Sequence, residues 1–165
     1  MTTQSITPKS FALAAEEGRT QQPLKIPGGT GILEKLTNDD TGGTVAISYV
    51  NVPPMAGPAL HRHSSEDEWF YVLEGQITIQ VDGQRTILRA DDSAYAARGT
   101  VHTYQNFGPT AARMLVMFAP GGFQRFFEEL AVLNVGLRAG DLAPVEQLMN
   151  NYGVEVLGPP LSQLG

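Results

Sequence analysis

His61-Arg62-His63-Ser64-Ser65-Glu66-Asp67-Glu68, running into Trp69-Phe70-Tyr71-Val72-Leu73 and the stop Glu74-Gly75, is the stretch on which the reading of this chain turns. Side chains two apart on a β-strand point to the same face, so His61 and His63 aim at one point. Glu68 lies five residues past His63, which leaves room for a turn between adjacent strands. With Glu68 inward, Phe70 and Val72 share its face. The third histidine of the chain, His102, follows Gly99-Thr100-Val101, a tight entry turn into a later strand that carries Tyr104 and Asn106 on the same face. Imidazoles and a carboxylate converging on one point suit a divalent transition metal with positions left open. A lone histidine is more often a surface or satisfied core residue, and the His-x-His pair by itself leaves that reading open.

The stretch sits in a series of short strands. Upstream, Thr44-Val45-Ala46-Ile47-Ser48-Tyr49-Val50 is β-branched and aromatic, and Pro53-Pro54 ends it. Downstream, Gln76-Ile77-Thr78-Ile79-Gln80-Val81 alternates cleanly and so has one buried face. Asp82-Gly83 supplies the positive φ angles of a tight hairpin, and residues 84–88 return. Residues 93–96, 101–106 and 112–118 complete an all-β pattern of sandwich or barrel type. In the tail, Phe123, Phe126, Phe127 and Leu130 follow helical spacing after Gly121-Gly122. Val145, Leu148, Met149 and Tyr152 mark a second helix, stopped by Gly153. The expected organisation is one domain: residues 1–40 as an N-terminal arm and first strands, 41–120 as the barrel core, and 121–165 as a helical extension packed on the barrel. Residues 1–10 read as loose, and Phe11 to Glu17 as a short helix or an arm on a partner subunit. Gly28-Gly29-Thr30-Gly31 reads as a turn, since no Lys-Ser/Thr pair follows it. Gly158-Pro159-Pro160 reads as irregular.

Composition narrows the chemistry. A length of 165 residues suits one domain with a sizeable core. Net charge is -6 and no lysine/arginine cluster occurs, so nucleic acid and anionic membranes are not expected partners. With no cysteine, thiolate metal sites, disulfides and thiol nucleophiles are excluded. The polar N-terminus does not read as a signal peptide and no apolar run approaches the roughly 20 residues that span a bilayer, so a cytoplasmic location is expected.

The residues already quoted resemble the cupin superfamily. Its first motif, G-x5-H-x-H-x3,4-E-x6-G, is matched by His61, His63, Glu68 and Gly75, with Met55 where the first glycine would fall. Its second, G-x5-P-x-G-x2-H-x3-N, is matched by Gly99, His102 and Asn106, with Asp91 and Ala97 in place of the glycine and proline. These departures fall at backbone turns and bear on loop shape rather than on ligands. The resemblance implies a double-stranded β-helix, or jelly-roll barrel, with one divalent transition metal (Fe, Mn, Ni, Co, Cu or Zn) per chain, held inside it by His61, His63, Glu68 and His102. Pro120-Gly121-Gly122-Phe123 leading into Phe126-Phe127-Glu128-Glu129, with Gly158-Pro159-Pro160 near the end, is similar to single-domain cupins related to flavonol (quercetin) 2,3-dioxygenase.

Strand parity and helix position give the expected pocket wall: Phe70, Val72, Tyr104, Met114, Val116, Phe118, Phe123 and Phe126. Taken singly, most of them read first as plain barrel core. An apolar metal pocket without cationic side chains favours an aromatic or enol-type small molecule. The expected activity is a metal-dependent dioxygenase, with dioxygen as co-substrate and Glu68 taking the substrate's proton. The alternatives are a non-catalytic metal- or small-molecule-binding module, and an isomerase or lyase using the metal as a Lewis acid. A homodimer is expected from the resemblance and from Trp69, Tyr71 and Leu73, which make the alternate face apolar too.

Overall fold

The computed structural model describes residues 10–20, 22–136 and 143–164; residues 1–9 of the expected loose terminus lie outside the described residues. The apolar runs pair into two antiparallel sheets built from β1 (Leu24–Lys25), β2 (Gly31–Leu36), β3 (Ala46–Val52), β4 (Leu60–His63), β5 (Asp67–Glu74), β6 (Gln76–Val81), β7 (Gln84–Arg89), β8 (Ser93–Ala96), β9 (His102–Gln105), β10 (Ala112–Ala119) and β11 (Val154–Gly158). One sheet has the order β1-β2-β3-β10-β5-β8 and the other β11-β4-β9-β6-β7. From β3 to β10 the chain changes sheet at every step except the β6–β7 hairpin, which is the wrapping of a jelly roll. Three helices complete the described residues: α1 (Asn38–Thr41), α2 (Gln124–Gly136) and α3 (Ala143–Asn151).

Alternation fixes which side chains enter the barrel. Along β3, Ala46, Ser48, Val50 and Val52 are buried and the residues between them are not. Phe118 pairs with Glu68, Val116 with Phe70 and Met114 with Val72, so the interior is stacked in layers with Glu68 at one end. Phe70 and Phe118 are essentially inaccessible, and their burial contributes roughly 2–3 kcal/mol each. The β6–β7 hairpin turns at Asp82 and Gly83 with φ of 49° and 78°, as the sequence required. Gly75 turns β5 into β6 at φ 79°, where an added Cβ would stand 3.0 Å from the Ala112 Cα.

The two motif glycine positions that this chain fills with other residues keep a left-handed backbone: Met55 has φ 64° and Asp91 φ 70°. The loop shapes survive because each is tied from outside. Met55 donates its N–H to the Asn106 carbonyl, and Asp91 accepts a hydrogen bond from the Tyr71 hydroxyl. Asn106 is itself fully buried; its amide bonds the Val52 and Thr110 carbonyls and accepts from the Gly108 N–H.

Two local readings are revised. Residues 11–17 form neither a helix nor, in the chain alone, an arm reaching away. Lys35 Nζ gathers the carbonyls of Ala14, Ala15 and Glu17, and Gly18 lies flat on Leu33, so the segment covers the chain's own sheet. In the tail, only Pro159-Pro160 is irregular before a short 3-10 turn; Val154–Gly158 is a strand. Gly153, at φ 68°, stops α3 and turns the chain so that Val154 pairs with His63 and Val156 with His61. The open edge of β4 needs a backbone partner, and the β-branched Val154 and Val156 supply it. Phe123, Phe126, Leu130 and Leu148 join the same core as the barrel residues.

Candidate metal centre

β4 turns His61 and His63 inward and leaves Arg62 outside, where it pairs with Glu155 of β11. β9 lies on the other side of β4 with His102 directly across from His61. On β9, Thr103 and Gln105 face away from the barrel and are bonded to Pro58, Met55 and Ser162, which sets the opposite parity for His102 and Tyr104. Glu68 comes from the facing sheet. The Gly99 N–H donates to the His63 carbonyl at 2.7 Å, tying the turn before His102 to the end of β4. Gly99 needs its positive φ of 80° to do so.

These four side chains are buried together, each offering one ligand atom, and the four atoms lie within 4.8 Å of one another. The imidazole centroids are 4.6 Å (His61–His102), 5.2 Å (His61–His63) and 5.6 Å (His63–His102) apart. Glu68 Oε2 stands 2.7 Å from His102 Nε2 and 3.4 Å from His63 Nε2. A backbone carbonyl can only accept, so His61 Nδ1–H donates to the Ala59 carbonyl at 2.7 Å and His102 Nδ1–H to the Thr100 carbonyl at 2.8 Å. Both bonds leave Nε2 for the centre, the arrangement a metal-ligating histidine requires.

Burial and the cluster's own charges set the protonation of these groups. Burial pushes the Glu68 carboxyl up, but the His102 and His63 imidazoles beside it outweigh that and hold the pKa well below the carboxylate range. Burial, followed by the neighbouring His102, lowers His61 to about 4, so it is neutral. Burial opposes charge on His63 as well, yet Glu66 and Glu68 raise it to about 9. Within the metal-free cluster a proton on His63 therefore balances the Glu68 charge. Tyr104 is raised by burial and then by the Glu68 charge, so its phenol stays protonated. The donor set of three imidazoles and one carboxylate, buried and convergent, fits a divalent transition metal.

The expected wall residues divide. Phe123 packs edge-on against His63 at 4.5 Å and Phe118 lies 5.9 Å from the same ring. Phe70 stands 6.0 Å from His102 and 5.9 Å from Tyr104. Val116 is one layer from Glu68, beside Phe70, while Val72 and Met114 form the layer beyond. Phe126 stacks behind Phe123. Sequence reasoning did not single out Glu66, whose Oε2 lies 3.6 Å from His63 Nδ1. The Ala59 and Thr100 carbonyls carry no side-chain signal at all.

A family model for the cupin domain matches residues 48–118, the stretch that contains all four side chains of the cluster. Over that stretch this chain is similar to the cupin domain. Among curated proteins it is 27% identical over 86 residues to the tetracenomycin polyketide synthase protein TcmJ of Streptomyces glaucescens, covering 52% of this chain and 58% of that protein. It is 37% identical over 70 residues to quercetin 2,3-dioxygenase of Bacillus subtilis, covering 42% of this chain and 20% of the enzyme. The matched cupin stretch thus spans little more than half of one relative and a fifth of the other. Among solved structures, KdgF from Halomonas sp. superposes with a TM-score of 0.61 at 18% identity, over 71% of this chain and 98% of that one, and shares the fold. No helix among the described residues is long and apolar enough to cross a membrane.

Proposed function

We propose that this chain is a mononuclear metal-dependent dioxygenase acting on an aromatic or enol-type small molecule. The observation that carries the reading is the buried cluster His61, His63, Glu68 and His102 set against the rings of Phe118, Phe123 and Phe70. The similarity to a quercetin 2,3-dioxygenase supports the same chemistry. A divalent transition metal held there would lower the pKa of a substrate hydroxyl and offer open positions to substrate and dioxygen. Glu68, kept ionised by its imidazole partners, is the group placed to accept that hydroxyl proton. Phe70, Phe118 and Phe123 hold a flat ring and exclude water from the charged cluster.

Oxygen uptake by the iron, manganese, nickel and cobalt forms with a panel of flavonols and catechols tests this. Stoichiometric uptake with ring-opened product is expected, and Glu68→Gln is expected to lose turnover while retaining metal. Product formed without oxygen would instead favour Lewis-acid chemistry on a phenolic ring, a second reading motivated by the similarity to a polyketide synthase protein. Metal retention with no turnover across the panel would leave a binding module.

The helical extension is read as part of the same folding unit, and the assembly as a homodimer. Trp69 and Tyr71 lie 5.5 Å apart on the outer face of β5, and Leu73 and the neighbouring Tyr95 are 40% and 56% exposed. A sheet apolar on both faces needs cover. Sedimentation equilibrium is expected to give a dimer, and Tyr95→Glu with Leu73→Glu a monomer; a monomeric wild-type protein would overturn the assignment.

A further inference from the structure

The three imidazoles of the cluster are not held alike. His61 and His102 each anchor Nδ1–H on the carbonyl two residues upstream, a backbone device that any side-chain substitution leaves intact. His63 has no such bond. Its Nδ1 and Nε2 are both buried without a hydrogen-bond partner, and so is Oε2 of Glu66. Those orphans face each other: Glu66 Oε2 is 3.6 Å from His63 Nδ1, on the side of the ring opposite Nε2, which faces Glu68 at 3.4 Å. Phe123, 4.5 Å away and edge-on, packs against the ring and limits its rotation. Glu66 does not belong to the convergent ligand set.

We propose that Glu66 is a positioning residue for the metal centre, the carboxylate that accepts the His63 Nδ1–H and so presents Nε2 of that ring as a ligand. The proposal rests on reading the four-residue cluster as a metal site, but not on any particular reaction there. A buried N–H and a buried carboxylate oxygen left apart each lack a partner, and closing the gap by less than an ångström satisfies both. A carboxylate on the far nitrogen fixes the tautomer and makes the imidazole a stronger donor, which backbone carbonyls do more weakly for His61 and His102. Glu66 thus differs from its neighbour Asp67, whose partner is the exposed Arg98.

The test is metal affinity of the metal-free protein, measured with Zn²⁺ and Co²⁺ in competition with a chromophoric chelator. Glu66→Gln is expected to bind roughly 10–100-fold more weakly. The visible Co²⁺ spectrum should keep the band intensity of the wild-type coordination number. Glu66→Asp, which restores the charge at shorter reach, is expected to recover part of the loss; it also stands in should the glutamine variant not fold. Affinity unchanged within twofold in both variants would overturn the proposal. A Co²⁺ spectrum altered as in a His63→Ala variant would also overturn it, by making Glu66 a ligand itself. Failure of the wild-type protein to bind either ion would reject the metal site, whereas absence of oxygen uptake with normal metal binding would reject the dioxygenase reading and leave the Glu66 result standing.

Discussion

His102→Ala is expected to weaken metal binding by about 100-fold and, independently, to destabilise the metal-free protein. The first effect follows from dividing the roughly 10–16 kcal/mol that a four-ligand zinc site supplies among its ligands, about 3 kcal/mol each. His61, His63 and Glu68 remain, so binding is weakened rather than abolished. The second effect comes from Glu68. It is only 5% exposed, and its shorter contact is the 2.7 Å approach to His102; the one left is 3.4 Å from His63. Taking away the nearer partner of a buried carboxylate costs roughly 1–3 kcal/mol, because its charge stays buried with one polar neighbour fewer. The two effects are read separately, by chelator competition for affinity and by urea unfolding in chelator for stability. A His102→Ala protein that binds Zn²⁺ as tightly as the wild type would show that the cation sits elsewhere. A variant weakened in metal binding but unchanged in metal-free stability would show that His63 alone compensates Glu68.

The part of this site that was legible in the sequence is the part encoded locally. His61 and His63 share a face through strand parity alone, and Glu68 and His102 were reached by motif spacing and resemblance. The Asp82-Gly83 hairpin and the phenylalanines of α2 were equally local. What stayed hidden depends on partners far away in sequence. β11 is a strand because β4 has an unpaired edge, a demand that Val154 to Gly158 cannot announce by themselves. Glu66 sits in the run Glu66-Asp67-Glu68, where nothing local marks it until His63 is placed beside it. β2 was placed no more finely than among the first strands of residues 1–40, because its two faces carry mixed signals: Leu33 is buried under Gly18 on the outer face, while Glu34 points into the barrel.

Glu34 gives the second large expectation: the protein is more stable at pH 5 than at pH 8.5, and Glu34→Gln removes much of that difference. Glu34 is fully buried, paired through β2–β3 with Ser48, whose hydroxyl donates to Oε2 at 2.8 Å, while Oε1 has no partner. Burial raises its pKa to about 8; the Ser48 bond lowers it, and the charge of Glu128 on α2 raises it further. The folded chain therefore keeps a proton that the unfolded chain releases near the ordinary value of 4.5. Between those values the native state binds more protons, so stability is full below about 4.5, falls as pH rises and levels off above about 8. The loss across that window is roughly 5 kcal/mol, which for a chain of this size lowers the melting temperature by roughly 10–20 °C. Glutamine keeps the shape and an acceptor for Ser48 but cannot ionise. At pH 8.5 Glu34→Gln should melt well above the wild type, while at pH 5 the two should nearly coincide. His63 and the other titrating groups contribute equally to both proteins and cancel in the difference, provided the measurement is made in chelator. Parallel melting-temperature profiles of the two proteins between pH 5 and 8.5 would mean that Glu34 is ionised inside the fold, and that a counter-charge reaches it.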